Sequence, residues 1–374
     1  MKRKIALSAV AVFGLFGIAF AQQKGAPPSP QPALAACGTS GEAEILCGTR
    51  SPEDLELTPD GKSLIVSQFV NNRGAAGEGA GLSLFDPVKK TFTKIAMNDE
   101  PLKDWGDSSC PGPIGANLAP HGTSLVKRSN GKWQLFVVNH GGRESIEMYE
   151  LKQTAGSWTL TWHGCVAVKE AYNDVAALPD GGYIATHPTA LQAQAPPAQA
   201  KADAKAKGPQ NDIFGGQVSG YISRWAAGKG ETELPGTRSA YPNGVVASPD
   251  GRFIYFNAWT ASEVHKYDLR AGKETAVVKL AFMPDNLTWT KEHDLLAAGV
   301  KGARGDCPPG SGAPCIQGFG VSVIDTGKMT AKTVFDSAGK APLISGVSVA
   351  LQMGNAVYIG SFQGDRIVKV NWKE

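Results

Sequence analysis

An all-β fold, a six-bladed β-propeller, is what the sequence predicts on three observations: one hairpin signature recurs six times, glycine is abundant, and charged residues are sparse. Glycine supplies 45 of 374 residues, about 12% against a usual ~7%, and charged residues supply 19% against a usual ~25%. Such a chain favours turns over long helices. Its 42% hydrophobic content can bury a core, which excludes disorder for the bulk of the chain.

Each copy of the repeat is an extended apolar stretch, a turn and a second extended stretch. Leu57-Thr58-Pro59-Asp60-Gly61 leads to Leu64-Ile65-Val66, and Leu125-Val126 leads through Asn130-Gly131 to Leu135-Phe136-Val137-Val138. Ala177-Leu178-Pro179-Asp180-Gly181 leads to Tyr183-Ile184-Ala185, and Ala247-Ser248-Pro249-Asp250-Gly251 to Phe253-Ile254-Tyr255-Phe256. Two weaker copies turn at Lys291-Glu292 and at Met353-Gly354. Proline presets one turn dihedral and glycine supplies a positive one, so each copy reads as a hairpin. The turns recur about every 59 residues, room for one four-stranded blade plus a loop. A pair of β-sandwiches would not produce six equivalent hairpins.

The chain outside the repeats is read from composition. Lys2, Arg3 and Lys4 precede an apolar run from Ile5 to Phe20, and Ala19-Phe20-Ala21 offers a small-x-small cleavage site. Residues 1–21 therefore read as a signal peptide and the chain as exported, periplasmic or secreted, with no spanning segment after processing. Leu34-Ala35-Ala36-Cys37 has the form of a lipoprotein box, but it lies about 16 residues beyond the apolar run, which argues against lipidation. Residues 22–36 read as a flexible Pro/Ala/Gln-rich leader, 37–374 as the propeller, and 189–211 as a low-complexity loop inserted on one rim.

The net charge of +3 equals the three cations of the expected signal peptide, so the processed chain is neutral and has no basic stripe for nucleic acid. Export permits disulfides, and six cysteines allow fifteen complete pairings. Cys307 with Cys315, which bracket a Pro/Gly loop, is the first expectation; Cys37 with Cys47 and Cys110 with Cys165 follow.

In a propeller, equivalent positions of all blades point to the same place. At the head of the strand before each turn the copies read Glu53-Asp54, Pro120-His121-Gly122, Asn173-Asp174, Asn243-Gly244, Asp285-Asn286 and Ser345-Gly346. Asn and Asp do begin strands as turn residues, but six-fold repetition favours convergence on a central tunnel. There Glu53, Asn173, Asn243, Asp285 and Asn286 offer five oxygen ligands without a thiolate, a set that suits Ca²⁺ better than Zn²⁺, copper or Mg²⁺. Neighbours along a strand face opposite ways, so Asp54 and Asp174 are expected one layer below, able to hold a second, buried ion. Two Ca²⁺ ions would offset the carboxylates Glu53, Asp54, Asp174 and Asp285.

The last position of the second strand carries Phe69, Pro188, Trp259 and Phe362 in four blades and His140 in the second. That ring is an apolar access pocket with one imidazole in its wall. His140 closes the hairpin that His121 opens, so the two imidazoles are expected together at one rim as a general base and its orienting partner.

Pro120-His121-Gly122, Val137-Val138-Asn139-His140, Asn173-Asp174-Val175, Pro242-Asn243-Gly244-Val245 and Pro284-Asp285-Asn286-Leu287 resemble the paraoxonase/arylesterase family, within the wider gluconolactonase-like six-bladed propellers. The resemblance runs in order from about Glu53 to the C-terminus. It implies a catalytic Ca²⁺ on Glu53, Asn173, Asn243, Asp285 and Asn286, and a structural Ca²⁺ on Asp54, Asp174 and the backbone carbonyl of Thr123. It also implies catalysis by His121 and His140: calcium polarises an ester or lactone carbonyl while His121, oriented by His140, deprotonates water. The sequence departs from the family in having no cysteine beyond Cys315 to join the chain ends, and in carrying the Ala/Gln/Lys insertion where a helical lid is expected.

Competing motifs are weaker. Trp105-Gly106-Asp107-Ser108 has a serine-block form but no downstream Asp-x-x-His, and Gly77-Glu78-Gly79-Ala80-Gly81 precedes a strand and not a phosphate-binding helix. The expected function is calcium-dependent hydrolysis of lactones or aryl esters. The alternative is a calcium-stabilised propeller that binds a small molecule or protein without turnover.

Overall fold

The turn chemistry read from the repeats is where the fold begins. In the computed structural model, which describes residues 33–69, 80–100, 102–154, 156–190, 216–302, 317–340 and 342–372, five hairpin turns place a glycine at positive φ: Gly61, Gly131, Gly181, Gly251 and Gly354. The Lys291-Glu292 copy lacks that glycine, and His293 takes φ 67° in its place. Its N–H closes the turn on the Thr290 carbonyl at 3.1 Å, as Gly61 does on Thr58 at 2.8 Å.

Each hairpin forms the two inner strands of one of six sheets found among the described residues. Blade 1 runs Pro52–Leu57, Leu64–Gln68, Gly81–Asp86 and Thr91–Lys94. Blade 2 runs Pro120–Lys127, Trp133–Asn139, Ser145–Thr154 and Ser157–Ala167, with the short strand Ala96–Asn98 added in parallel outside it. Blade 3 has Val175–Ala177, Tyr183–His187, Tyr221–Ala226 and Gly230–Glu233, and blade 4 has Pro242–Ala247, Phe253–Ala258, Glu263–Asp268 and Lys273–Lys279. Blade 5 has Met283–Trp289, Leu295–Val300, Phe319–Asp325 and Thr330–Asp336.

Blade 6 begins with Val347–Met353, Ala356–Ser361 and Arg366–Asn371, and its outer strands come from the other end of the propeller chain. Ala43–Cys47 pairs antiparallel with Arg366–Asn371, and Gly38–Ser40 pairs with Ala43–Cys47. The sequence reading started the propeller at Cys37 without assigning these strands a blade. They close the ring by giving blade 6 two outer strands from residues that precede blade 1.

Six apolar clusters fill the six spaces between neighbouring blades. Ile65 and Leu82 of blade 1 meet Leu135, Tyr149 and Trp162 of blade 2, for example, and Leu55, Val66 and Phe85 meet Val349, Leu351 and Tyr358 across the closure. Every blade thus buries both faces against its neighbours, so the core is distributed around the ring.

Two disulfides form as expected, Cys37–Cys47 within the closing strands and Cys110–Cys165 between a loop and an outer strand of blade 2. They fit an oxidising compartment. Among the described residues no helix is long and apolar enough to cross a membrane. The predicted signal peptide, residues 22–32 of the leader, residues 191–211 of the insertion and the pair Cys307 with Cys315 lie outside the described residues.

Candidate metal centre on the propeller axis

Polar residues at the strand heads turn inward because the strand pairing slips there. The inner hairpins change register between Pro52 and Asp54, Pro120 and Thr123, Pro242 and Val245, Pro284 and Leu287, and Val347 and Ala350. A bulge of this kind bends the strand and re-aims its side chains. It lies at Glu53, at His121-Gly122, at Asn243-Gly244 and at Asp285-Asn286, so one backbone device places residues of four blades.

These residues meet across the ring. Asn286 of blade 5 donates through Nδ2 to Glu53 of blade 1, to Oε1 at 2.9 Å and to the backbone carbonyl at 3.2 Å, reaching past blade 6. Ser348 of blade 6 donates to the same Glu53 carbonyl at 2.6 Å. Gly122 N–H donates to the Asn173 carbonyl at 3.2 Å, and Asn257 Nδ2 to the Asp285 carbonyl at 2.5 Å. Glycine is required at two of these approaches: a Cβ on Gly122 would lie 2.1 Å from Asp174 Oδ1, and one on Gly244 would lie 2.3 Å from the Asp285 carbonyl.

Glu53, Asn173, Asn243, Asp285 and Asn286 are all buried. Four of their oxygens, Glu53 Oε2, Asn173 Oδ1, Asn243 Oδ1 and Asn286 Oδ1, are buried with no hydrogen-bond partner. A buried acceptor left unsatisfied costs about 1–3 kcal/mol, and each of these four oxygens keeps lone pairs of the kind an oxygen-preferring cation takes. Burial pushes the Glu53 carboxyl well above the usual carboxylate range, with the charges of Asp285, Asp54 and Asp174 adding to the effect. Burial also pushes Asp285 up to about 8, against a hydrogen bond from Asn243 that lowers it. The donor set is rich in carboxamides. Among the described residues no group of three or more His, Cys, Asp and Glu is placed to hold a metal.

One layer on, Asp54 and Asp174 differ from this cradle. Thr123 donates to Asp54 Oδ2 from its N–H and its hydroxyl, both at 2.7 Å, and Leu55 N–H reaches Oδ1 at 2.9 Å. Asp174 accepts from the N–H groups of Val175 and Val245, each at 2.8 Å. All four carboxylate oxygens are therefore used. Burial raises Asp54 to about 6 and Asp174 well above its usual range. Glu56, which the sequence reading passed over, joins them: its carboxyl is raised by burial and by the Asp54 charge, and it accepts from Leu125 N–H at 3.0 Å.

The two histidines are brought together. His121 Nδ1 lies 2.9 Å from His140 Nε2, and His121 Nε2 lies 3.6 Å from Glu53 Oε1, beside the cradle. Phe69 stacks on the His121 ring at 4.3 Å. His140 Nδ1 lies 2.6 Å from Glu144 Oε2. The sequence reading missed Glu144, although a carboxylate four residues beyond a candidate histidine, across Gly141-Gly142, is a short-range signal that could have found it.

The expected rim positions are equivalent in four blades by their backbone bonding. The N–H groups of Phe69, His140, Trp259 and Phe362 donate to the carbonyls of Ser51, Ala119, Tyr241 and Gly346, each just ahead of its blade's first strand, at 3.0–3.1 Å. Blade 3 differs: its second strand ends at His187, and Pro188 follows without that bond.

No protein-family model matches the chain, and no curated protein sequence matches it. Among solved structures it is similar to a gluconolactonase from Xanthomonas campestris, with 16% identity, a TM-score of 0.50, and 88% of this chain and 89% of that one covered. It is likewise similar to a luciferin-regenerating enzyme, with 14% identity, a TM-score of 0.51, and coverage of 88% and 94%. At these identities the likeness is one of fold, and with the six sheets it makes this chain a six-bladed β-propeller of the architecture those two enzymes share.

Proposed function

We propose that this chain is an exported, calcium-dependent hydrolase of lactones or aryl esters. The observation that carries the reading is the set of four orphaned, buried oxygens on three blades and an adjoining strand head, beside two linked imidazoles. Glu53, Asn173, Asn243, Asp285 and Asn286 would hold the catalytic ion. Bound there, Ca²⁺ supplies a Lewis acid for a carbonyl oxygen and charge stabilisation for the developing oxyanion.

The chain's own residues do the rest. His121 Nδ1 lies against His140 Nε2, and its Nε2, on the side of Glu53, is the atom that would take a proton from water. Phe69 packs on that ring and limits its rotation. Phe69, Trp259, Phe362 and Pro188 provide apolar surface for the ring or acyl part of a substrate and help to exclude water. A gluconolactonase among the proteins of like fold supports a lactone, and the family resemblance adds aryl esters. A second ion on Asp54, Asp174 and the Thr123 carbonyl is supported by the crowding of three buried carboxyls at that layer, Asp54, Asp174 and Glu56, whose ionised forms burial penalises unless a cation offsets them.

The test is turnover of a lactone panel and phenyl acetate with calcium and with a chelator, using wild type and His121→Gln. The proposal requires calcium-dependent hydrolysis that the variant loses by ~100-fold or more, the usual scale for a general base. A wild type that binds calcium and hydrolyses none of the panel would turn the reading to a binding propeller.

A further inference from the structure

We propose that Glu144 is a positioning residue that sets the tautomers of the histidine pair, so that His121 presents its basic lone pair from Nε2. The inference rests on the proposed hydrolytic role of His121 for its functional meaning, but the tautomers themselves can be read without turnover.

The argument follows the protons. An ionised carboxylate has no proton to donate. With Glu144 Oε2 at 2.6 Å, His140 Nδ1 must carry the hydrogen. In the neutral pair His140 Nε2 is then a lone pair, and across 2.9 Å it can only accept. His121 Nδ1 must therefore be N–H, which leaves Nε2 unprotonated on the side of Glu53 and the orphaned oxygens. One carboxylate two links away thus decides which nitrogen of His121 is basic. Without it, His140 is free to donate from Nε2, and the lone pair of His121 would be spent on Nδ1, facing another imidazole.

Glu144 is held for this use. It sits in the turn between Trp133–Asn139 and Ser145–Thr154, and its backbone carbonyl accepts from Val168 N–H at 3.0 Å. The cation beside it in sequence, Arg143, is turned away and donates to Glu147 Oε1 at 2.7 Å and to the Gly112 carbonyl at 2.6 Å. Asn139 fixes the same turn by donating to the carbonyls of Gly141 and Arg143. Glu144 is also the most open of the three, with side-chain exposure of 24% against 13% at His121 and 8% at His140. When His121 Nε2 takes a proton from water, the ring becomes a cation whose Nδ1–H still donates to His140 Nε2; the Nε2 proton then goes to the departing alkoxide, which restores the neutral pair with both tautomers unchanged.

The test is the ¹⁵N spectrum of the histidine rings in the full chain, with His121 and His140 assigned from their single glutamine variants, recorded for wild type, Glu144→Gln and Glu144→Leu. Wild type is expected to show Nδ1–H at both residues. Glu144→Leu is expected to lose that preference, and Glu144→Gln, which keeps an acceptor of similar shape, to retain it. Where the wild type hydrolyses a panel substrate, kcat should fall by ~10–100-fold in Glu144→Leu and less in Glu144→Gln, with KM changed by less than ~3-fold, as fits a residue that acts on the base and not on substrate binding. Nε2–H at His121 in the wild type, or a Glu144→Leu spectrum identical to wild type, would overturn the inference. If no substrate is turned over, the hydrolase reading falls while the spectra still decide this one.

Discussion

Glu53 concentrates the physics of the centre in one side chain. One carboxylate oxygen is held by Asn286, the other has no partner, and the backbone carbonyl takes hydrogen bonds from two further blades. Its neighbours Asp285, Asp54 and Asp174 are buried carboxylates whose folded-state pKa values, like its own, lie above the unfolded ones. A group shifted this way contributes most to stability below its unfolded pKa and loses that contribution as pH rises through the folded one. For the metal-free protein the loss therefore runs from about pH 4 upward, through about 6 for Asp54 and about 8 for Asp285. Calcium bound as proposed would remove the need for protonation, so the gain in melting temperature on adding calcium should grow between pH 5 and pH 8. A gain that stays constant over that range, in scanning calorimetry, would contradict this assignment of the buried charge. At this scale the buried polar residues of the strand heads were legible because the hairpin repeat aligned them, whereas Glu56 and Glu144 were not, since neither sits at a repeated strand head.

Elements explain why the alignment worked. The Pro-Asp-Gly turns set the inner hairpins, and the register slips ahead of them turn the strand heads inward, a displacement that turn chemistry alone does not announce. Blade 3 shows the limit: its first strand is only Val175–Ala177, and Asn173 and Asp174 precede it, held by Thr186 through backbone bonds and its hydroxyl. The two observed disulfides act on elements of different reach. Cys110–Cys165 spans 55 residues and Cys37–Cys47 spans 10, so by loop entropy the first is worth about 4 kcal/mol and the second about 2.7 kcal/mol. Replacing both cysteines of a pair by serine and unfolding in urea should rank the losses in that order. The reverse order would mean that the short bridge does more than restrict its own loop, as its place in the closing strands allows.

For the whole molecule, the decisive feature is closure. Ala43–Cys47 and Arg366–Asn371 come from opposite ends of the propeller chain and share a ladder, from Cys47 with Arg366 to Ala43 with Val370, so the ring is locked by a contact that local patterns cannot reveal: strands so far apart in sequence carry no shared signature. Six blades were legible from six hairpins, because each inner pair is local; the outer strands, more exposed and more variable in pattern, were not. Closure also fixes the cradle, since Asn286 and Ser348 must arrive beside Glu53 from the far end of the chain. The account therefore stands on whether an ion binds among Glu53, Asn173, Asn243, Asp285 and Asn286, which come from blades 1, 3, 4 and 5. Calorimetric titration of calcium into chelator-treated wild type and into Asn243→Ala tests this most directly. The account predicts saturable binding by the wild type and a binding constant at least ~10-fold weaker, about 1.4 kcal/mol, in the variant. Equal affinity in the two proteins, or no binding by either, would contradict it.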